Sequence, residues 1–286
     1  MSYRFARPLL TMLLVLAVAG TSFAEEKAKL KGLLITGGCC HDYPAQIKII
    51  TEGLSQRVNI EWDVVIAGDG RQVKVPVYLN HDWIKPYDVV FHNECYGHVD
   101  DVEFVEGIVK AHTENNIPAI FVHCSMHSYR NAKTDEWRKL IGMRSTSHEG
   151  KHPLDIVTLE SDHPIMQGFP KDWKVDRGEL YKIEKTWDSA TPLAKAYGVD
   201  TKKDHNVIWC NEYDGTKSFS TTLGHYNETM NNDVWLSLVA RGLLWTVDGL
   251  NEDGTTKPGF EGTGKKEIDL STPNPDKDKS PTKAKK

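Results

Sequence analysis

Four short apolar runs, each closed by glycine or polar residues, alternate with helical patterns through the first half of the chain. This rhythm limits the fold class more than any other feature. The runs are "KGLLITGG" (31–38), "IEWDVVIAG" (60–68), "YDVVFHNE" (87–94) and "IPAIFVHCS" (117–125). Each has the length and composition of a buried strand. After the first, Pro44 suits an opening helical turn, and Ile47, Ile50 and Leu54 then share one face. A second helix is predicted over 101–115, with Val105, Ile108, Val109 and His112 together, and a short third one over 134–143. Strands joined by crossover helices form a parallel, doubly wound α/β sheet.

The second half has a different texture. Short strand patterns at 153–160, 178–184, 191–197, 205–213 and 217–225 are separated by turn signals, and "DG" at 214–215 suits a hairpin. These are added antiparallel strands. An apolar helix closes the pattern over 232–247, with Asn232 as its N-cap.

Both ends read as lying outside this domain. Arg4 and Arg7, the apolar stretch Leu9 to Ala19, and Ser22-Phe23-Ala24 have the layout of a secretory signal peptide over 1–24. The mature chain is therefore expected to be secreted or periplasmic. Its apolar leader is too short for a membrane span, so no integral membrane segment is expected in the mature chain. From residue 251 to 286, Gly, Pro, Thr, Asp and Lys dominate, which reads as a mostly disordered tail. The folded domain is then 30–250.

The formal net charge is −5, and losing Arg4 and Arg7 with the leader deepens it by two. An acidic body argues against nucleic acid as a partner. The five cysteines are too few for a disulfide framework, and an odd number leaves one unpaired within a monomer.

In an open parallel sheet, ligands bind beyond the carboxyl ends of the strands. Here those ends carry Gly37-Gly38-Cys39-Cys40-His41-Asp42, His92-Asn93-Glu94-Cys95 and His123-Cys124-Ser125-Met126-His127. Several chemistries are open to such a rim. Phosphate binding lacks both G-x-G-x-x-G and G-K-[ST]. Redox chemistry lacks C-x-x-C. Nucleophilic catalysis by Cys124 would need an elbow, yet Val122 and Met126 stand where small residues belong. A divalent metal could be held by histidines and carboxylates from separate strand ends. General acid–base work needs a carboxylate and a histidine in one pocket. Downstream, His148, Glu149, Asp162-His163-Pro164, Glu179 and His225 are further polar candidates.

Taken together, "LLITGGCCHDYP", "IFVHCSMHS", "SHEGKHPLDIV", "DHPIMQGFP", "GELYKI", "TTLGHYNE" and "ARGLLWTV" resemble the ThuA family of trehalose-utilisation-type proteins, from about Leu33 to Val247. The resemblance implies a fold similar to class I glutamine amidotransferases, of flavodoxin-like appearance. It also implies a role in carbohydrate metabolism, associated with disaccharides and their 3-keto derivatives. On it, His41-Asp42, His123, His148, Asp162-His163-Pro164, the pair Glu179 and Tyr181, and Gly224-His225 match family motifs. The amidotransferase triad does not carry over, because Cys124 lacks flanking glycines and no late H-x-E follows.

The expected activity is that of an exported carbohydrate-active hydrolase or lyase taking a small-molecule carbohydrate. His41, Asp42, His123, Glu179 and His225 are the expected catalytic residues, and Glu94, His148 and Tyr181 the expected substrate contacts. A divalent metal on His41, His123 and His225 is one cofactor option. The alternatives are a sugar-binding or scaffold module without chemistry, and a cysteine-dependent amidohydrolase using Cys124.

Overall fold

A computed structural model of the protein describes residue 1 and residues 29–270. The leader read over 1–24 lies outside the described residues, apart from Met1. The main sheet has eight strands. They are β1 (Leu30–Gly38), β2 (Ile60–Ala67), β3 (Val89–Cys95), β4 (Ala119–Val122), β6 (Val157–Thr158), β8 (Ala190–Gly198), β9 (Lys203–Tyr213) and β10 (Thr216–Thr221). Their order is β2-β1-β3-β4-β10-β9-β8-β6. The first five in that order run parallel, and the last three pair antiparallel. Two further strands, β5 (Met143–Asp155) and β7 (Lys174–Thr186), form a separate antiparallel pair. A doubly wound, mostly parallel sheet with added antiparallel strands is thus the observed architecture.

Strand periodicity divides the core in two. On one face Leu34, Phe91, Ile120, Val122 and Phe219 pack against α1 (Tyr43–Ser55) and α5 (Asp233–Thr246). On the other, Leu33, Ile35, Val90 and Phe121 pack against α2 (Val102–Asn115) and α3 (Glu136–Ile141). Alternate residues of one strand serve opposite faces, as the pleat requires. A short α4 (Asn227–Met230) precedes α5. Asn232 caps α5 by accepting from the Val234 N–H, and Asp214 and Gly215 turn the β9–β10 hairpin with positive φ at both.

The β1–α1–β2 unit lies to one side of β1 and β3 to the other. The carboxyl ends of β1 and β3 therefore flank a topological switch point, where such sheets bind ligands.

The tail expectation needs correction. Residues 251–270 are packed, not disordered: Glu261 bridges to Val58, and Phe260 and Ile268 are buried in the α1–α5 core. A few apolar side chains anchor a segment whose average composition hides them. Residues 271–286 lie outside the described residues.

Candidate functional site

Gly37 and Gly38 end β1 at φ 116° and 109°. A Cβ on Gly37 would lie 2.5 Å from the Ala67 carbonyl, and one on Gly38 would lie 2.5 Å from the Cys95 carbonyl. Only glycine lets the chain turn there between β2 and β3. The turn delivers Cys39, Cys40 and His41 to a cavity of about 270 Å³. From β4 the chain enters a 3-10 helix, His123–His127, with His123 itself at φ 44°. From β10, Gly224 (φ 134°) turns His225 inward. Glu179 and Tyr181 arrive from β7, with Lys151 and His148 opposite them on β5.

Glu179 is the hub. Its Oε2 lies 3.2 Å from His225 Nδ1, 3.5 Å from His123 Nε2 and 3.6 Å from His148 Nε2, and its Oε1 is 3.9 Å from Lys151 Nζ. Backbone carbonyls set the tautomers. His123 Nδ1–H donates to the Thr222 carbonyl at 2.7 Å, and His41 Nδ1–H donates to that of Cys39 at 3.2 Å. Both Nε2 atoms therefore carry lone pairs. His41 Nε2 is buried with no hydrogen-bond partner, and His123 Nε2 meets His225 Nδ1 at 3.2 Å. His225 Nδ1–H can be shared between His123 Nε2 and Glu179.

Burial, reinforced by His123 and His225, lowers the His41 pKa to about 3. Burial also lowers that of His123 against the opposing pull of Glu179. Burial alone would raise the Glu179 carboxyl; its contacts with His123 and His225 outweigh it and hold the group well below the usual range. The resting cluster is thus two neutral imidazoles beside a carboxylate.

This donor set fits a divalent metal. One ring nitrogen from each of His41, His123 and His225 lies within 4.8 Å of the others. The 3.2 Å His123–His225 separation is close to the ~3.3 Å edge of a tetrahedron with metal–nitrogen bonds of about 2.0–2.1 Å. Backbone carbonyls behind two of the rings supply the usual outer support.

The eight expected site residues divide. His41, His148, Glu179, Tyr181 and His225 line the cavity, and His123 is buried behind it in the cluster. Asp42 does not line it. That residue caps α1 by accepting from the Ala45 N–H and accepts from Asn227 Nδ2 at 2.9 Å. Glu94 does not line it either. Its side chain shares the α2-side face with His92 and is fully buried, accepting from Tyr78 at 2.8 Å with His92 Nδ1 3.0 Å away. Strand parity turns residues 92 and 94 away from the rim, while Cys95 faces the cavity. His163, from the D-H-P stretch, caps a 3-10 turn by accepting from the Ile165 N–H.

His127 was not among the expected site residues. It lines the cavity, stacked on Tyr181 with ring centroids 3.8 Å apart, and its Nε2 is 2.9 Å from Ser145 Oγ. Arg71, Arg130 and Lys151 also line it and carry no sequence motif. Cys124 is bonded to Cys95, which removes the free thiol an amidohydrolase would use. The elbow-like positive φ belongs to His123, one residue earlier.

Comparisons place this fold among known proteins. A ThuA-like protein from Parabacteroides merdae ATCC 43184 is similar in fold, with TM-score 0.64 and 18% identity, covering 82% of this chain and 98% of that one. Another, from Bacteroides uniformis ATCC 8492, gives TM-score 0.59 and 13% identity over 78% of this chain and 95% of that one. Among curated proteins, none matches. The family model described as "ThuA: Trehalose utilisation" matches residues 33–246, from β1 through the end of α5 and across every residue of the cluster. The chain belongs to the ThuA family.

Proposed function

We propose that the protein is an exported carbohydrate-active enzyme that acts on a glycoside or an oxidised (3-keto) sugar through the His41–His123–His225–Glu179 cluster. One observation carries this reading: the His41, His123 and His225 rings converge, with His123 and His225 beside the Glu179 carboxylate, while the Nδ1–H groups of His41 and His123 are spent on backbone carbonyls. Groups held in that state can accept a proton or a metal. Family membership and the polar lining support a sugar as the substrate. The cavity is near the lower end of the ~300–1,000 Å³ range of small-molecule sites, which suits one enclosed sugar ring with the rest of a glycoside outside.

In this reading Glu179 holds His225 as its Nδ1–H tautomer and leaves the other ring nitrogen to move a proton. Arg130 and Lys151 bind sugar oxygens from the rim. In the alternative state, with His225 Nδ1 deprotonated, a divalent metal on His41, His123 and His225 would polarise a sugar oxygen or activate water.

His123→Ala tests the assignment on a panel of disaccharides and 3-keto-glycosides. The expected result is a folded protein with no turnover; wild-type turnover would overturn the reading, and wild-type protein that binds without turning over would make it a binding module. Elemental analysis of the purified protein decides between a metal and a proton relay.

A further inference from the structure

Four of the five cysteines meet on one wall of the cavity. Cys39 is bonded to Cys40, and Cys95 to Cys124. They come from the ends of β1, β3 and β4, so no local spacing announces them. The two disulfides touch: Cys39 Sγ lies 3.7 Å from Cys95 Sγ. Arg71 stands over the first, with Nε 3.2 Å from Cys39 Sγ and Nη2 3.6 Å from Cys40 Sγ. Access is graded. Cys40 is exposed, Cys39 and Cys124 are half-buried, and Cys95 is buried. Each disulfide also borders the histidine cluster, because Cys40 precedes His41 and Cys124 follows His123.

We propose that these two disulfides form one exchangeable pair, opened by an external dithiol at Cys40 and passed inward by attack of Cys39 on Cys95. In the first step a thiolate of the dithiol attacks Cys40 Sγ. The Cys39–Cys40 bond breaks, and Cys39 leaves as a thiolate beside the Arg71 guanidinium. The dithiol's second thiolate then displaces Cys40, so the dithiol becomes a disulfide and two electrons enter the protein. In the second step the Cys39 thiolate attacks Cys95 Sγ. A Cys39–Cys95 bond forms, the Cys95–Cys124 bond breaks, and Cys124 leaves as a thiolate that takes a proton from water. This step moves no net electrons.

The exchange has a consequence at the site. Cys124 is released where it, Cys95 and His41 place donor atoms within 4.8 Å of one another. The loop carrying His41 becomes tied to β3 instead of to itself. Reduction would thereby add a sulfur donor beside the histidines and re-anchor one of them. No substrate is involved, so the proposal stands apart from the sugar chemistry above.

The test is a redox titration of the purified full chain with dithiothreitol, quenched with acid, alkylated and mapped by peptide mass spectrometry. The expected result is that a Cys39–Cys95 linked peptide, with Cys40 and Cys124 alkylated, is the main two-electron-reduced species. If the two original bonds instead open independently and no Cys39–Cys95 link forms at any poise, the proposal is overturned. Cys124→Ser gives a second reading without added reductant, because its freed Cys95 should attack Cys39. Cys39–Cys95 with an alkylatable Cys40 is expected; retained Cys39–Cys40 with an alkylatable Cys95 overturns the proposal.

Discussion

Glu179 Oε2 sits 3.2 Å from His225 Nδ1, and this contact joins two sheets. Glu179 comes from β7 of the small antiparallel pair, and His225 follows β10 of the main sheet. The carboxylate is therefore held by one sheet and used at the edge of another. Glu179→Gln keeps the side-chain volume and removes the charge that fixes the His225 tautomer. Turnover is expected to fall by about 10²–10⁴, the range for losing a positioned acid–base group. The fold should survive, as checked by circular dichroism. Turnover within twofold of wild type would remove Glu179 from the chemistry.

Glu94 is the opposite case. It is fully buried among Tyr78, His92 and Tyr129, away from the cavity. Glu94→Ala leaves the Tyr78 hydroxyl without its acceptor and His92 without its buried partner, at a cost of ~3 kcal/mol. The melting temperature should drop by several degrees while turnover per folded molecule stays within about twofold. A large loss of turnover at unchanged stability would return Glu94 to the site.

These two carboxylates show what the sequence could and could not carry. Strand ends are legible because apolar runs stop at Gly37-Gly38, His123 and Gly224-His225, and the parallel topology gathers those ends. Which face a strand-end residue takes depends on parity, and a shift of one residue sends Glu94 into the core. Parity also hides the elbow: the positive φ falls on His123, where no local pattern distinguishes it from Cys124. Asp42 did carry a readable signal. An aspartate two residues before Pro44 is a helix N-cap pattern, and capping is what it does. Glu179 and Tyr181 lie in a separate sheet, so the strand-end rule does not gather them: Glu179 is legible only as an isolated polar candidate, and the resemblance alone pairs it with Tyr181. Arg71 and Arg130 reach the cavity through long-range packing.

Acid should destabilise the protein well before its carboxylates are neutralised. His41 and His112 both have pKa values lowered to about 3, by burial first and by neighbouring histidines second. Both are neutral in the fold at pH 5 but bind a proton when unfolded, near 6.5. The unfolded chain then holds more protons, so stability falls as pH drops from about 6.5 toward 3. For fully buried His112 the slope approaches ~1.4 kcal/mol per pH unit in that window. Glu179, held below its usual range, loses its contribution at the acid end of the same scan. Chemical denaturation at pH 7.0, 5.5 and 4.5 should give a steadily lower midpoint; a flat profile would contradict the neutral, buried state of these rings.

The turn at Gly38 links stability to the site. Its φ of 109° is strained for any residue with a side chain, and a Cβ would also lie 2.5 Å from the Cys95 carbonyl. Register pairs Gly38 with Cys95, so the backbones cannot part without breaking the β1–β3 ladder. Gly215 separates the two effects. It has φ 77° in the β9–β10 hairpin, and a Cβ there meets nothing within 4 Å. Gly215→Ala should therefore cost only the backbone term, about 1 kcal/mol, and leave turnover unchanged. Gly38→Ala adds the steric term and should cost about 2–4 kcal/mol. Relieving that clash must move the segment carrying Cys39, Cys40 and His41, so turnover should fall at least tenfold even in the folded fraction. Equal losses of stability in the two variants, with turnover intact in both, would mean that the β1 turn does not position His41.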